Sequence, residues 1–294
     1  MKWKKFGWHD IQVEVPEDWC LHSEGGDWES GFFRLDNGIL ITLEVKWERN
    51  EKAADIGNTL ADLRKEMEKH DRKIEFSDAS GLMKTVKLKG MKYEGMSWTG
   101  TISGAGVLSR CKSCNTTLVV RQYWEPGDEE QKALFSRVAG SIRDHLRSDR
   151  MSFWSVYGLQ VKVPGTYRLF NREFLSGKCQ LAFTRDKSRM EFLRLGFGRM
   201  VIEQEGLVDW FRRSHRLIRN LSGPDDVGIH GHDGMLFQAV RRSEKKFKGG
   251  MPVQSVLWYC EPSDKIYLVQ TLCSDQKSIP DVMTAAENVT CHSD

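Results

Sequence analysis

Cys111-Lys112-Ser113-Cys114 is the sharpest short motif in the chain. Thiolates are the soft ligands and nucleophiles of protein chemistry. A four-residue turn brings its first and fourth Cα atoms within about 7 Å, so Cys111 and Cys114 offer one edge of a tetrahedral zinc site. A zinc site needs two further ligands, and no second Cys-x-x-Cys exists. The motif admits zinc or thiol chemistry without requiring either. The competing reading is two thiols in and beside a strand, with no cofactor. His230-Gly231-His232-Asp233 comes next. Residues two apart on a strand point to one side, so both imidazoles would face one ion or one carboxylate. The flanking Gly228 and Gly234 favour a turn that carries ordinary polar residues.

A third set is basic. Arg212, Arg213, Arg216 and Arg219 fall in one helical pattern, and Arg241, Arg242, Lys245 and Lys246 in one loop. Together they would suit RNA, DNA or an acidic partner. The competing reading is a solvated helix face and a charged loop. Spacing alone supports no Ser-His-Asp or Cys-His arrangement. Gly104-Ala105-Gly106 and Gly196-Phe197-Gly198 lack the strand-turn-helix context of a phosphate loop.

These residues sit in a duplicated framework. Ile11-Gln12-Val13-Glu14-Val15-Pro16 matches Leu159-Gln160-Val161-Lys162-Val163-Pro164 at an offset of 148. Val107-Leu108-Ser109-Arg110-Cys111 matches Val256-Leu257-Trp258-Tyr259-Cys260 at an offset of 149. Two blocks this far apart in nearly one offset indicate a tandem repeat, residues 1–149 and 150–294. The shared position of Cys111 and Cys260 favours a packing role, since both copies need the same core.

Within copy one, period-two alternation predicts strands at Ile11–Val15, Gly31–Leu35, Ile39–Trp47, Met83–Lys89, Gly95–Ile102, Val107–Cys111 and Thr116–Trp124. Ile56, Leu60, Leu63 and Met67 form the stripe of a helix over Ala53–Lys69, and a second helix follows over Glu129–Leu146. Copy two repeats the order. Its first helix spans Glu203–Leu221, and its last starts at Ser278 with a Ser-x-x-Asp281 capping box. The fold class expected is α+β: two tandem copies of an antiparallel sheet covered by two helices, an α/β/α sandwich. The element order, and Val15-Pro16-Glu17-Asp18-Trp19 closing the first strand, resemble the Mog/PsbP-like superfamily. That resemblance implies a binding or assembly protein rather than an enzyme, and it carries no specific site residues.

Composition narrows the function classes. Charged residues are 29% and hydrophobic residues 39% of 294, a soluble globular balance. Net charge is only +3, with the basic excess in the second copy, which does not by itself imply nucleic acid. Apolar runs fall short of the about 20 residues that span a bilayer. No apolar core follows Met1-Lys2-Trp3-Lys4-Lys5, so neither a secretory signal nor a membrane partner is expected. Seven scattered cysteines fit reduced thiols in a cytoplasmic protein. The expected partner is another protein, with nucleic acid as the alternative and the Cys111/Cys114 hairpin as a zinc or thiol alternative.

Overall fold

The computed structural model describes residues 1–49, 55–145, 150–215, 218–241, 250–275 and 279–292. The chain divides into two compact units, Met1–Leu146 and Arg147–Asp294.

Unit 1 opens with a hairpin of β1 (Trp3–Trp8) and β2 (Ile11–Pro16), joined by His9 and Asp10 at φ of 49° and 66°. Positive φ at both turn residues matches the twist of a two-residue hairpin. Next come β3 (Cys20–Gly26), β4 (Ser30–Asp36), β5 (Ile41–Arg49), α1 (Ile56–His70), β6 (Glu75–Ser77) and α2 (Ser80–Met83). β7 (Met91–Thr99), β8 (Ser103–Cys111), β9 (Thr116–Trp124) and α3 (Glu129–Ser141) complete the unit. Strands β3 to β9 make one antiparallel sheet in the order β3-β4-β5-β9-β8-β7-β6. One face carries Phe33, Leu35, Val45, Val107 and Val120, all fully buried. The β1–β2 hairpin covers it, with Phe6 and Phe33 ring centroids 4.8 Å apart, and α3 packs on β2, β8 and β9. The other face holds Met96, Trp98 and Leu108 against Ile56, Leu60 and Met67 of α1. Asp55 caps α1 by accepting from the Asn58 amide.

Unit 2 repeats this plan. It has β10 (Met151–Val156), β11 (Leu159–Pro164), β12 (Arg168–Leu175), β13 (Lys178–Arg185), β14 (Ser188–Gly196), α4 (Gly198–Glu205) and α5 (Leu207–Ser214). It continues with β15 (Ile218–Ile229), β16 (His232–Arg241), β17 (Met251–Cys260), β18 (Lys265–Cys273), α6 (Val282–Glu287) and β19 (Val289–Thr290). The sheet order β12-β13-β14-β18-β17-β16-β15 is the topology of unit 1 strand for strand. Trp154 of the β10–β11 hairpin packs edge-on to Phe183 at 4.9 Å. On the opposite face Trp210 and Phe211 of α5 pack with Leu193, Phe237, Leu257, Ile266 and Leu268.

The expected α+β, α/β/α sandwich is corrected by this architecture. The structure is 54% strand and 20% helix, more β-rich than two helices over a sheet. Part of the layer that was expected to be helical is a β-hairpin. Trp3, Phe6 and Trp8, which precede the first expected strand, are themselves strand β1. The expected helix over Glu203–Leu221 breaks at Gly206, whose φ of 76° no helix accommodates, and Ile218 onward is strand β15. Met83–Lys89 is not a strand: α2 ends at Met83, and β7 starts at Met91. Ser278 lies outside the described residues. The last helix starts at Val282, and Asp281 caps it by accepting from the Met283 and Thr284 amides.

Two expectations follow. A Cβ at Gly104 would meet the Trp98 ring at 2.2 Å and the Gln122 carbonyl oxygen at 2.6 Å. Gly104→Val should therefore destabilise unit 1 by about 3 kcal/mol in urea unfolding. Burial pushes the His215 imidazole, stacked on Phe211, down to about 4. A folded value below the ordinary 6.5 means a contribution fully present above pH 6.5 and lost as pH falls through 4. Unit 2 should lose about 2 kcal/mol between pH 6.5 and 4, and His215→Phe should flatten that slope in urea unfolding followed across this range.

Candidate functional site

The β8–β9 hairpin turns through Lys112-Ser113-Cys114-Asn115, with Asn115 at φ 60° donating its amide to the Cys111 carbonyl at 3.2 Å. This places Cys111 at the end of β8 and Cys114 in the loop. The chain beyond α3 runs back to the same spot. Arg143 exchanges backbone hydrogen bonds with Gln12 of β2, 2.9 Å in each direction, and Asp144 and His145 follow directly. Cys111 Sγ lies 2.8 Å from His145 Nε2. Cys114 Sγ lies 3.4 Å from Asp144 Oδ2 and 3.9 Å from His145 Nε2. The four donor atoms are all within 4.8 Å of one another.

Unit 2 builds a second cluster at the corresponding place. Cys260 ends β17 as Cys111 ends β8. Beyond α6, Thr290 pairs with Gln160 of β11 as Arg143 pairs with Gln12, and Cys291 and His292 follow. His232, which opens β16, supplies the fourth group. His232 Nε2 and His292 Nδ1 are 3.3 Å apart. Cys291 Sγ lies 3.5 Å from His232 Nε2 and 3.1 Å from His292 Nδ1, and Cys260 Sγ lies 3.4 Å from His292 Nδ1. The Tyr267 hydroxyl donates to the Cys291 carbonyl at 3.1 Å and anchors this segment to β18.

The environment sets each group's proton affinity. Burial would raise the Cys111 thiol, but the Ser113 hydroxyl and the Cys114 and Ser113 amides carry it below the ordinary cysteine value. Burial raises Cys114, and the Asp144 charge and the Cys111 thiol add to that. Burial and then the Cys260 thiol push Cys291 up to about 11. Burial lowers His232, with His292 and His230 repelling its charged form.

The expected Cys111/Cys114 pair is thus joined by Asp144 and His145, about thirty residues on. The His230-Gly231-His232-Asp233 expectation splits. His230 and Gly231 form the two-residue turn of the β15–β16 hairpin, with φ of 51° and 76°. His230 Nε2 reaches the Ala286 carbonyl at 3.1 Å instead of the cluster, and Asp233 is exposed. Only His232 joins Cys260. A Cys–His pair does form at Cys111 and His145. Cys111 itself is buried, while His145 is about half exposed.

The basic residues do not assemble a free patch among the described residues. Arg212 pairs with Asp209 at 3.6 Å, Arg213 donates to Glu205 at 2.8 Å, and Arg241 donates to Glu191 at 2.7 Å. Arg219 is exposed on β15. Arg216, Arg242, Lys245 and Lys246 lie outside the described residues.

A different surface of unit 2 carries Arg194 and Lys265, neither with a carboxylate partner among the described residues, while Lys178 beside them pairs with Glu173. Tyr157, Phe174, Leu175, Gly177, Lys178, Cys179 and Arg194 line a cleft of about 350 Å³. Tyr157 and Phe174 meet edge to face at 5.1 Å. Leu175 is 60% exposed and Phe197, beside Gly177, 62%. A Cβ at Gly158 would lie 3.4 Å from Lys265 Nζ and 3.6 Å from Arg194 Nε, so both cations lie close to the Gly158 backbone. Arg194 Nε is buried without a hydrogen-bond partner. Burial and then the Arg194 charge hold Lys265 below its ordinary value.

No family model matches the chain, and no curated protein does. Among solved structures, one similar chain is the immunity protein TplEi of T6SS from Pseudomonas aeruginosa complexed with "L" peptide. It is 11% identical with a TM-score of 0.37, over 98% of this chain and 97% of that one. A chain of the Tle4-Tli4 complex is 9% identical with a TM-score of 0.35, over 98% and 96%. Likeness at this level assigns neither a family nor a role.

Arg241 and Arg212 should separate cleanly on mutation. Glu191 is buried and Arg241 is its partner, so Arg241→Met strands a carboxylate and should cost about 3 kcal/mol. Arg212 pairs at the exposed surface, and Arg212→Met should stay within about 0.5 kcal/mol in the same urea unfolding.

Proposed function

We propose that the chain is a non-enzymatic protein-binding module that takes an acidic, extended segment of a partner protein on the cleft of unit 2. The observation that carries this reading is the pair of cations Arg194 and Lys265, both close to Gly158 and with no carboxylate partner among the described residues. Two adjacent positive charges, one of them desolvated, favour an incoming carboxylate. The rim supplies apolar anchors: Leu175 and Phe197 are more than half exposed, and Tyr157 is 41% exposed. Exposed aromatic and aliphatic side chains around a charged base are the anatomy of a docking face. Strand β12 stands at the edge of its sheet, and an open strand edge takes an extended peptide through its backbone groups.

The same cleft argues against catalysis. Its thiol, Cys179, is pushed up to about 12 by burial and donates to the Val156 carbonyl. It is a packing group, not a nucleophile.

Selection of a displayed random decapeptide library on the purified full chain tests the reading. Acidic sequences with an apolar residue nearby should enrich. Their affinity should fall about tenfold or more with Arg194→Glu or Phe197→Ala, weaken with salt, and remain unchanged with Arg212→Glu. Enrichment of basic or purely apolar sequences, no enrichment, or binding indifferent to Arg194→Glu would overturn it.

A further inference from the structure

We infer that each unit holds one zinc ion, through Cys111, Cys114, Asp144 and His145 in unit 1 and through His232, Cys260, Cys291 and His292 in unit 2. Thiolate and imidazole are the donors that select zinc over the hard, oxygen-seeking cations. The spacing fits as well. With Zn–S of about 2.3 Å and Zn–N of about 2.0–2.1 Å, a tetrahedron has edges of about 3.3 Å between nitrogens and about 3.5 Å between nitrogen and sulfur. In unit 2 the nitrogen–nitrogen distance is 3.3 Å, and the nitrogen–sulfur distances are 3.1, 3.4 and 3.5 Å. Unit 1 departs further from this tetrahedron, with nitrogen–sulfur distances of 2.8 and 3.9 Å, but keeps two sulfurs, one nitrogen and one carboxylate oxygen within 4.8 Å.

The duplication supplies an independent argument. Both clusters use the cysteine that ends the second-last sheet strand and the two residues that follow the pairing with β2 or β11. The ligand identities differ: Asp144-His145 stands where unit 2 has Cys291-His292, at an offset of 147. The fourth donor comes from different elements, Cys114 in the β8–β9 loop and His232 at the start of β16. In unit 1 the place across from Cys111 belongs to Met91. Two different donor sets converging on one location of the fold are not accounted for by shared packing. Four protein donors close the coordination sphere, so these are structural sites, not catalytic ones. Each ion would clip the segment after the last helix to the central hairpin, and binding would release the thiol protons to solvent.

The test is the zinc content of the full chain, purified under reducing conditions without chelator and measured by inductively coupled plasma mass spectrometry. The expected value is about two zinc per chain. It should fall to about one in Cys260→Ser/His292→Ala and to about one in Cys111→Ser/His145→Ala. Cys20→Ser and Cys273→Ser, whose thiols lie outside both clusters, should keep both ions. Should a variant fail to fold, the unmutated chain answers for unit 1 by alkylation mapped with mass spectrometry. Iodoacetamide should modify Cys20 alone before chelation, and Cys20 and Cys114 after it, since both side chains are exposed. Zinc below about 0.2 per chain, zinc unchanged in both double variants, or Cys114 alkylated equally with and without chelator would overturn the inference. One zinc per chain in the unmutated protein, falling to none in Cys260→Ser/His292→Ala, would overturn the site in unit 1.

Discussion

Each seven-stranded sheet is apolar on both faces, and most of the structure answers the need to cover both. The inner strands show it most plainly. β8 is buried at every position except Arg110, and β18 at every position except Lys265. A sheet of this kind cannot leave one face in water. One side is closed by helix, α1 in unit 1 and α5 in unit 2. The other is closed by a two-stranded hairpin and the last helix. The hairpin is effective because it brings large side chains: Phe6 and Trp8 in unit 1, Trp154 and Val156 in unit 2, all nearly inaccessible.

That covering layer fixes where chemistry can occur. The last helix lies over the hairpin face and must return the chain past the hairpin. The returning segment pairs with β2 or β11 for one or two residues, then reaches the end of the sheet where the central hairpin turns. Thiols at the ends of β8 and β17 meet it there. α6 has six residues and β19 two, so little backbone structure of their own holds this segment. Besides this pairing with β11, side chains of Tyr267, Cys260, His232 and His230 anchor it.

How much of this could be read from the residues depended on burial. β9 matches its expected bounds because strands buried on both faces read as runs of Val, Leu and Thr with clear ends. β15 went unread because most of its positions are exposed, so no alternation marks it. β1 went unread because Lys4 and Lys5 interrupt the pattern between Trp3 and Phe6. Across Glu203–Leu221 apolar spacing continues through Gly206, and only the backbone reveals the break. In the clusters, cysteine spacing led to Cys111 and Cys114 but not to the residues after the last helix. Their signal was present: Asp144-His145 and Cys291-His292 recur at nearly the framework offset. Neither pair resembles a strand block, so hydrophobic spacing does not mark them.

The units also differ in an instructive way at their buried carboxylates. Glu44 on β5 and Glu191 on β14 occupy the same place, each facing the helix side of its sheet, and each is nearly inaccessible. In unit 1 Arg121, directly across on β9, and Arg34, on β4, answer Glu44. Burial would raise the Glu44 carboxyl, but these arginines hold it below its ordinary value. In unit 2 the residue across from Glu191 is Gln270, and the charge comes instead from Arg241 on β16. A buried carboxylate cannot stand without a cation, so the arginine could move between strands only if another took its place. The clusters at the sheet end follow the same logic, with Cys114 and His232 supplying one donor from two different elements. The two units share the positions of a buried carboxylate and of a cysteine–histidine cluster, and each surrounds them with partly different residues.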